Sequence, residues 1–231
     1  MRGVPPILLV HGGAGAWRAH RNRIVEVSRV LKHALRSGHE LFRSASAIEA
    51  VVEAVRILED SGILNAGLGS VVDVRGEVTM DAGVMDGCSR RAGAVAAVTY
   101  PKNPVILAKL IMEKTSHILI AGKHADDLAR LWGLQKHPGP TERVLKRYNE
   151  LINKLRNGEV PIKRFEKNYN LARKLLGIAH DTVGAVALDE SGCLAAAVST
   201  GGIIMKLPGR VGDSAIPGAG FYADNYAAAV A

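Results

Sequence analysis

Two apolar runs, Val183 to Leu188 and Cys193 to Ser199, flank the tetrad Asp189-Glu190-Ser191-Gly192, and a threonine stands at each outer end, Thr182 and Thr200. The tetrad is built of turn formers, so the segment reads as a β-hairpin that returns Thr200 close to Thr182. A threonine hydroxyl is a poor nucleophile at neutral pH without a base beside it, whereas an N-terminal threonine carries a base in its own α-amine. Thr182 could reach that state only by scission of the Asp181-Thr182 bond. Its hydroxyl would attack the Asp181 carbonyl, the chain would shift from amide to ester, and water would release a new amino terminus. The plainer reading of Thr200 is a hairpin hydroxyl with no catalytic duty.

Composition sets the bounds. A chain of 231 residues, 48% apolar, can bury one good core, and no Pro- or Ser-rich linker divides it, so a single domain is expected. Cys88 and Cys193 show no metal or redox spacing and read as small core residues in a reducing compartment, which makes cytoplasm the expected location. The apolar run Ile7 to Val10 is too short for a signal-peptide core, and nowhere is a run long enough to span a bilayer.

Ahead of the hairpin, strands and helices alternate. Ile7 to Val10 reads as a strand, Ile24 to Leu35 as a helix, and Ser46 to Leu58 as a second helix, with Ser46 and Glu49 as a capping box. Val71 to Val74 with Val78 to Met80 suggest a hairpin, Ala94 to Tyr100 a buried strand, Pro104 to Glu113 a helix and Ile118 to Ala121 a short strand. This order predicts a mixed α and β domain. From Lys136 to Lys174, eleven Lys and Arg stand against Glu142, Glu150, Glu159 and Glu166, which accounts for nearly all of the net +8. Apolar residues there recur at helical spacing: Val144, Leu145, Tyr148, Leu151, Ile152 and Leu155, then Phe165, Tyr169, Ala172 and Leu176. Two amphipathic helices broken near Gly158 and Pro161 are expected, as a solvated basic linker; nucleic-acid binding is the weaker alternative, since no recognised binding motif is present.

Other motifs fail. Gly13-Ala14-Gly15 follows a strand, but Arg18 stands where a dinucleotide fingerprint needs its third glycine, and the eight histidines make no His-Glu-x-x-His pattern. Arg210 and Asp213 share a loop with Gly209 and Gly212; a guanidinium fork and a carboxylate could hold the two ends of an α-amino acid, or form a surface ion pair.

Several separated blocks together resemble one family, the threonine N-terminal-nucleophile hydrolases that include plant-type L-asparaginase, isoaspartyl peptidase and glycosylasparaginase. They are Ile7-Leu8-Leu9-Val10-His11-Gly12-Gly13-Ala14-Gly15, Ser46-Ala47-Ile48-Glu49-Ala50-Val51, Leu64-Asn65-Ala66-Gly67, Met80-Asp81-Ala82-Gly83-Val84-Met85-Asp86-Gly87, the Thr182 segment, Ser199-Thr200-Gly201-Gly202, and Gly209-Arg210-Val211-Gly212-Asp213-Ser214. The resemblance implies an α+β fold, the αββα four-layer sandwich. It implies that Thr182 is the nucleophile freed by self-cleavage after Asp181, that Thr200 and Asn65 stand beside it, and that Arg210, Val211, Gly212 and Asp213 bind substrate. Asn65 on its own could equally be a turn-forming side chain. The resemblance further implies a structural sodium ion on the backbone carbonyls of Leu58, Glu59, Ser61, Leu64, Ala66 and Leu68, with no cofactor for the chemistry. Residues 1–181 would form one subunit, with a basic linker over about 137–180, and 182–231 the start of the other, assembling as a dimer of heterodimers. The implied substrates are asparagine or β-aspartyl peptides, with glycosylasparagine as the alternative.

The last residues, Tyr226-Ala227-Ala228-Ala229-Val230-Ala231, look like a strand in progress. Members of the family continue from this point into a Thr-Gly turn that supplies the oxyanion hole, and then into more strands. The expectation is therefore a sandwich incomplete at its C-terminal side, or an inactive homologue that serves as an assembly partner. Loss of one oxyanion donor typically lowers turnover by roughly 10² to 10³.

Overall fold

The computed structural model describes residues 4–13, 23–159 and 180–231. Its centre is a six-stranded sheet ordered β1-β5-β6-β2-β3-β4, formed by β1 (Ile7–His11), β2 (Met80–Asp86), β3 (Arg91–Val98), β4 (Leu119–Ala121), β5 (His180–Leu188) and β6 (Leu194–Ile203). All neighbours run antiparallel except β3 and β4. The hairpin read from the sequence is β5–β6, inserted between β1 and β2. Its turn is tied by Asp189, whose Oδ1 accepts the backbone N–H groups of Ser191 and Cys193 at 3.0 and 2.9 Å.

One face of the sheet carries the helices α1 (Ile24–Glu40), α2 (Ala47–Asp60) and α3 (Pro104–Lys114). The strand period of two sends Leu8, Val84, Val95, Val183, Ala185, Ala187, Ala195 and Ala197 toward them, where they join Val51, Val55, Leu58, Leu107 and Ile111 in the main core. Fully burying one such aliphatic side chain is worth roughly 1.5–3 kcal/mol. The opposite face is covered over β2, β3 and β6 by residues 213–231, with Phe221 and Ala223 on Met85, Ala94, Ala196 and Val198. Gly83 is required there, because a Cβ on it would lie 2.1 Å from the Phe221 ring. Burial on both faces explains why β2 and β6 read as near-continuous small and apolar residues. Toward β1 the same face is open, with Ile7 51% and Leu9 63% exposed.

The expected mixed α and β organisation holds, with differences in detail. Val71 to Met80 forms a turn with a single Val72–Val78 bridge rather than a hairpin, because Asp73 Oδ1 gathers the Arg75 and Glu77 N–H groups and Met80 already starts β2. An unanticipated helix, α4 (Gly122–Leu131), follows β4, and β7 (Tyr222–Ala223) pairs with β8 (Ala229–Val230). Of the two expected basic helices, the first is α5 (Glu142–Arg156), capped by the Thr141 hydroxyl. Its stripe Leu151, Ile152 and Leu155 packs on Ile204 and Met205 beyond β6, so this helix is docked, not a free linker. The second, with Phe165, Tyr169, Ala172 and Leu176, lies outside the described residues, as do Ala14 and Gly15 of the opening turn.

Cys88 and Cys193 correct the sequence reading: they are bonded to each other, with Cα atoms 5.3 Å apart. A separation of 105 residues hid the pair, which only the β2–β6 ladder brings together. The cysteines therefore no longer argue for a reducing compartment. Among the described residues, no helix is long and apolar enough to cross a membrane.

Candidate active site

The β5–β6 register slips once, where Asp181 faces Gly202 but Val183 faces Ser199. Thr182 therefore stands opposite two residues, Thr200 and Gly201, a bulge that re-aims the strand locally. At this bulge the half-buried Thr182 hydroxyl donates to Thr200 Oγ1 at 3.2 Å, and Ser214 Oγ stands 3.5 Å from it. Thr200 Oγ1 also accepts the Gly202 N–H at 2.9 Å, so the buried Thr200 is oriented by its own turn.

Asn65 clasps that turn from the α2–β2 connection. Its Nδ2 donates to Gly202 O at 2.8 Å, its Oδ1 accepts Val71 N–H at 3.0 Å, and its own carbonyl accepts Gly201 N–H at 3.0 Å. Lys206 closes the turn from the other side. Its ammonium, buried with the residue only 3% exposed, donates to Thr79 O at 2.7 Å and Gly201 O at 3.0 Å. Burial lowers its pKa to about 8; nearby Asp81 opposes that shift and Arg210 adds to it.

The Arg210–Asp213 loop reaches the site through Asp81. This fully buried carboxylate sits opposite Thr200 in the β2–β6 ladder, accepts Ala97 N–H at 2.8 Å, and accepts Gly212 N–H at 3.2 Å. Gly202 has φ +67°, and a Cβ on it would lie 3.0 Å from Lys206 Nζ and 3.1 Å from Arg210 Nη1, so only glycine lets both cations close on the turn. Among the described residues, neither the Arg210 guanidinium nor the exposed Asp213 carboxylate has a hydrogen bond or ion pair, so the surface ion pair read as an alternative does not form. Val211 is exposed between them.

The 58–68 loop carries Asn65. Its Leu58 carbonyl accepts two bonds, from Ser61 Oγ at 2.7 Å and Ser61 N–H at 3.3 Å, whereas the Leu64 and Ala66 carbonyls each accept one, from Ala66 N–H at 2.9 Å and Gly69 N–H at 3.1 Å. The Leu64 and Ala66 oxygens each keep a second lone pair. The sequence-named residues Thr182, Thr200, Asn65 and Arg210 thus converge on one turn, whereas Ser214, Asp81 and Lys206 were missed. Asp81 and Lys206 carried a signal, each being a charge next to an apolar stretch; Ser214, a serine in a turn, carried none.

Comparison with known proteins gives a consistent result. The family described as Asparaginase matches residues 4–231. The plant-type L-asparaginase of Pyrobaculum calidifontis is 46% identical over 220 residues, covering 94% of this chain and 70% of the relative. The isoaspartyl peptidase/L-asparaginase of Danio rerio is 42% identical over 226 residues, covering 97% and 69%. The isoaspartyl peptidase of Salmonella typhimurium is 40% identical over 228 residues, covering 97% and 71%.

Proposed function

Because the chain belongs to the asparaginase family matched over residues 4–231, we propose that it is a self-cleaving amidohydrolase acting on L-asparagine or β-aspartyl peptides, with Thr182 as its nucleophile. The observation that carries this reading is the 3.2 Å contact between the Thr182 and Thr200 hydroxyls at the β5–β6 bulge. In the uncut chain the Thr182 hydroxyl attacks the Asp181 carbonyl carbon, the acyl group moves from nitrogen to oxygen, and water hydrolyses the ester. The freed α-amine then serves as the base. It takes the hydroxyl proton as Oγ1 attacks the substrate's side-chain carbonyl, and passes a proton to the departing ammonia or peptide amine. Water, deprotonated by the same amine, releases aspartate and restores the hydroxyl. Thr200 orients the hydroxyl, Asn65 and Lys206 hold the Thr200–Gly202 turn, and the Arg210–Asp213 loop binds the α-carboxylate through Arg210 and the α-ammonium through Asp213. The Val211 and Gly212 backbone spaces these two charges. The names of the relatives favour this branch over glycosylasparagine hydrolysis.

The α+β architecture is read further as one side of the αββα sandwich, a second sheet covering the face where Ile7 and Leu9 are exposed. Carbonyls are hard neutral donors suited to a structural sodium ion, and the spare lone pairs at Leu64 and Ala66 fit one, with Leu58, Glu59, Ser61 and Leu68 proposed to complete the set. A thermal midpoint unchanged when choline replaces sodium would count against that site. The two fragments are read as paired subunits that assemble as a dimer of heterodimers.

Intact-mass measurement over time, with an ammonia-release assay, tests the central claim. In reduced samples, fragments 1–181 and 182–231 are expected to accumulate, and Thr182→Ala should abolish both cleavage and ammonia release. Activity persisting in that variant would sink the mechanism.

A further inference from the structure

The Cys88–Cys193 disulfide closes a loop that contains the Asp181-Thr182 bond. Cys88 follows β2 and Cys193 precedes β6; at this end of the ladder Asp86 faces Ala195 and Gly87 N–H donates to Leu194 O at 2.7 Å. The two cysteines thus fall on opposite sides of the proposed scission point, one in each product. We propose that the disulfide joins the two chains that self-cleavage produces, making the mature protein one covalently linked pair. The proposal rests on the cleavage reading above.

Its position suits that task. Seven residues of extended strand separate Cys193 from Thr200, about 23 Å at 3.3 Å per residue, so the bond braces the end of the sheet remote from the nucleophile. The same corner is held without covalent help by Asn225, whose Oδ1 accepts Leu194 N–H at 2.9 Å and whose backbone N–H donates to Gly87 O at 3.2 Å. That corner therefore stays assembled when the disulfide opens. In the cut protein, β5 from Thr182 onward and all of β6 belong to one chain, while β1 and β2 on either side belong to the other. Held only by contacts, such a pair would separate on unfolding, and its stability would fall on dilution. With the link intact, the two chains of a pair stay together on unfolding, which removes that part of the dilution dependence. Forming the bond takes two electrons and two protons from the two thiols and gives them to an oxidant such as a small disulfide, which leaves as two thiols; a dithiol reverses the exchange. Cys88 is exposed, which leaves the bond open to that exchange.

The test uses the full chain after processing, with free thiols first blocked by N-ethylmaleimide, followed by denaturing electrophoresis and intact mass with and without dithiothreitol. The expected result is one species without reductant, heavier than the uncut chain by one water, and two species, 1–181 and 182–231, with it. Cys88→Ser should give two species without reductant, cleave at the wild-type rate, and show a thermal midpoint that falls on tenfold dilution more steeply than that of the wild type. Two fragments from unreduced wild type, each carrying maleimide on its cysteine, would overturn the link and leave the cleavage reading standing. A single full-length chain in the reduced sample would instead overturn self-cleavage, and the joined product with it.

Discussion

Asp81 is one carboxylate with two anchoring duties. One oxygen accepts Ala97 N–H, where a non-glycine residue turns to φ 50° beside an irregularity in the β2–β3 register; the other accepts Gly212 N–H between Arg210 and Asp213. Across the ladder it faces Thr200. A single side chain therefore fixes the distance between the nucleophile's neighbour and the loop that would grip the substrate. Asp81→Asn keeps the shape but offers one acceptor where two are needed, turning an NH₂ toward a backbone N–H. Leaving one buried donor unpaired costs about 1–3 kcal/mol, and here it falls on the substrate loop. Steady-state kinetics on L-asparagine should show KM raised roughly tenfold with kcat changed less, since the lost order concerns ground-state binding. An unchanged KM with only a lowered melting temperature would reduce Asp81 to a scaffold residue.

Among the elements, the β5–β6 hairpin does more than carry Thr182 and Thr200. Its turn residue Asp189 sends Oδ2 to Ala47 N–H at 2.9 Å, at the first turn of α2, 142 residues away. The predicted capping box does not form: Ser46 and Glu49 meet side chain to side chain, the Ser46 hydroxyl donating to the Glu49 carboxylate with no bond to the helix backbone, so the cap comes from the hairpin. Asp189→Ala should cost about 1–2 kcal/mol, the usual scale for a lost cap, and more through the loosened turn. Urea unfolding at neutral pH checks this; Ser46→Ala is expected to matter less. The case also shows what the sequence could carry. Periodicity marked α1 and α2 because each buries a face at its own repeat, while the hairpin showed as two apolar runs around a turn-forming tetrad. The strand Met80–Asp86 was quoted as a motif but not as a strand, because burial on both faces erases alternation. Local spacing could place Thr182 next to Thr200, since only a hairpin separates them. It could not place Ser214, Asp81, Lys206 or the cysteine pair, whose neighbours are set by sheet order. Arg210 and Asp213 were found through family resemblance, not periodicity.

At the scale of the molecule, a buried ionisable group at the end of α2 sets a pH dependence. Glu59 is fully buried near the end of α2; Oε1 accepts Val105 N–H at 3.0 Å, while Oε2 has no partner among the described residues. Burial raises its pKa from 4.5 to about 8, against the opposing pull of the Ser199 hydroxyl and the Val105 amide. The folded protein therefore binds this proton more tightly than the unfolded chain does. Unfolding releases it between pH 4.5 and about 8, so Glu59's contribution to stability is fully present below 4.5 and declines until about pH 8, above which it stays constant. The decline is of the order of a few kcal/mol, because one pKa unit corresponds to about 1.4 kcal/mol. Glu59→Gln keeps the Val105 acceptor and removes the proton from the balance. Urea midpoints at pH 5, 7 and 9 should fall for the wild type more steeply than for Glu59→Gln, with the variant gaining relative stability as pH rises. Parallel curves would mean that Glu59 is ionised in the fold and that an unseen partner meets Oε2. A sodium ion on the neighbouring carbonyls would be such a partner, so repeating the series in choline chloride separates the two explanations: curves that diverge only without sodium assign the compensation to the ion.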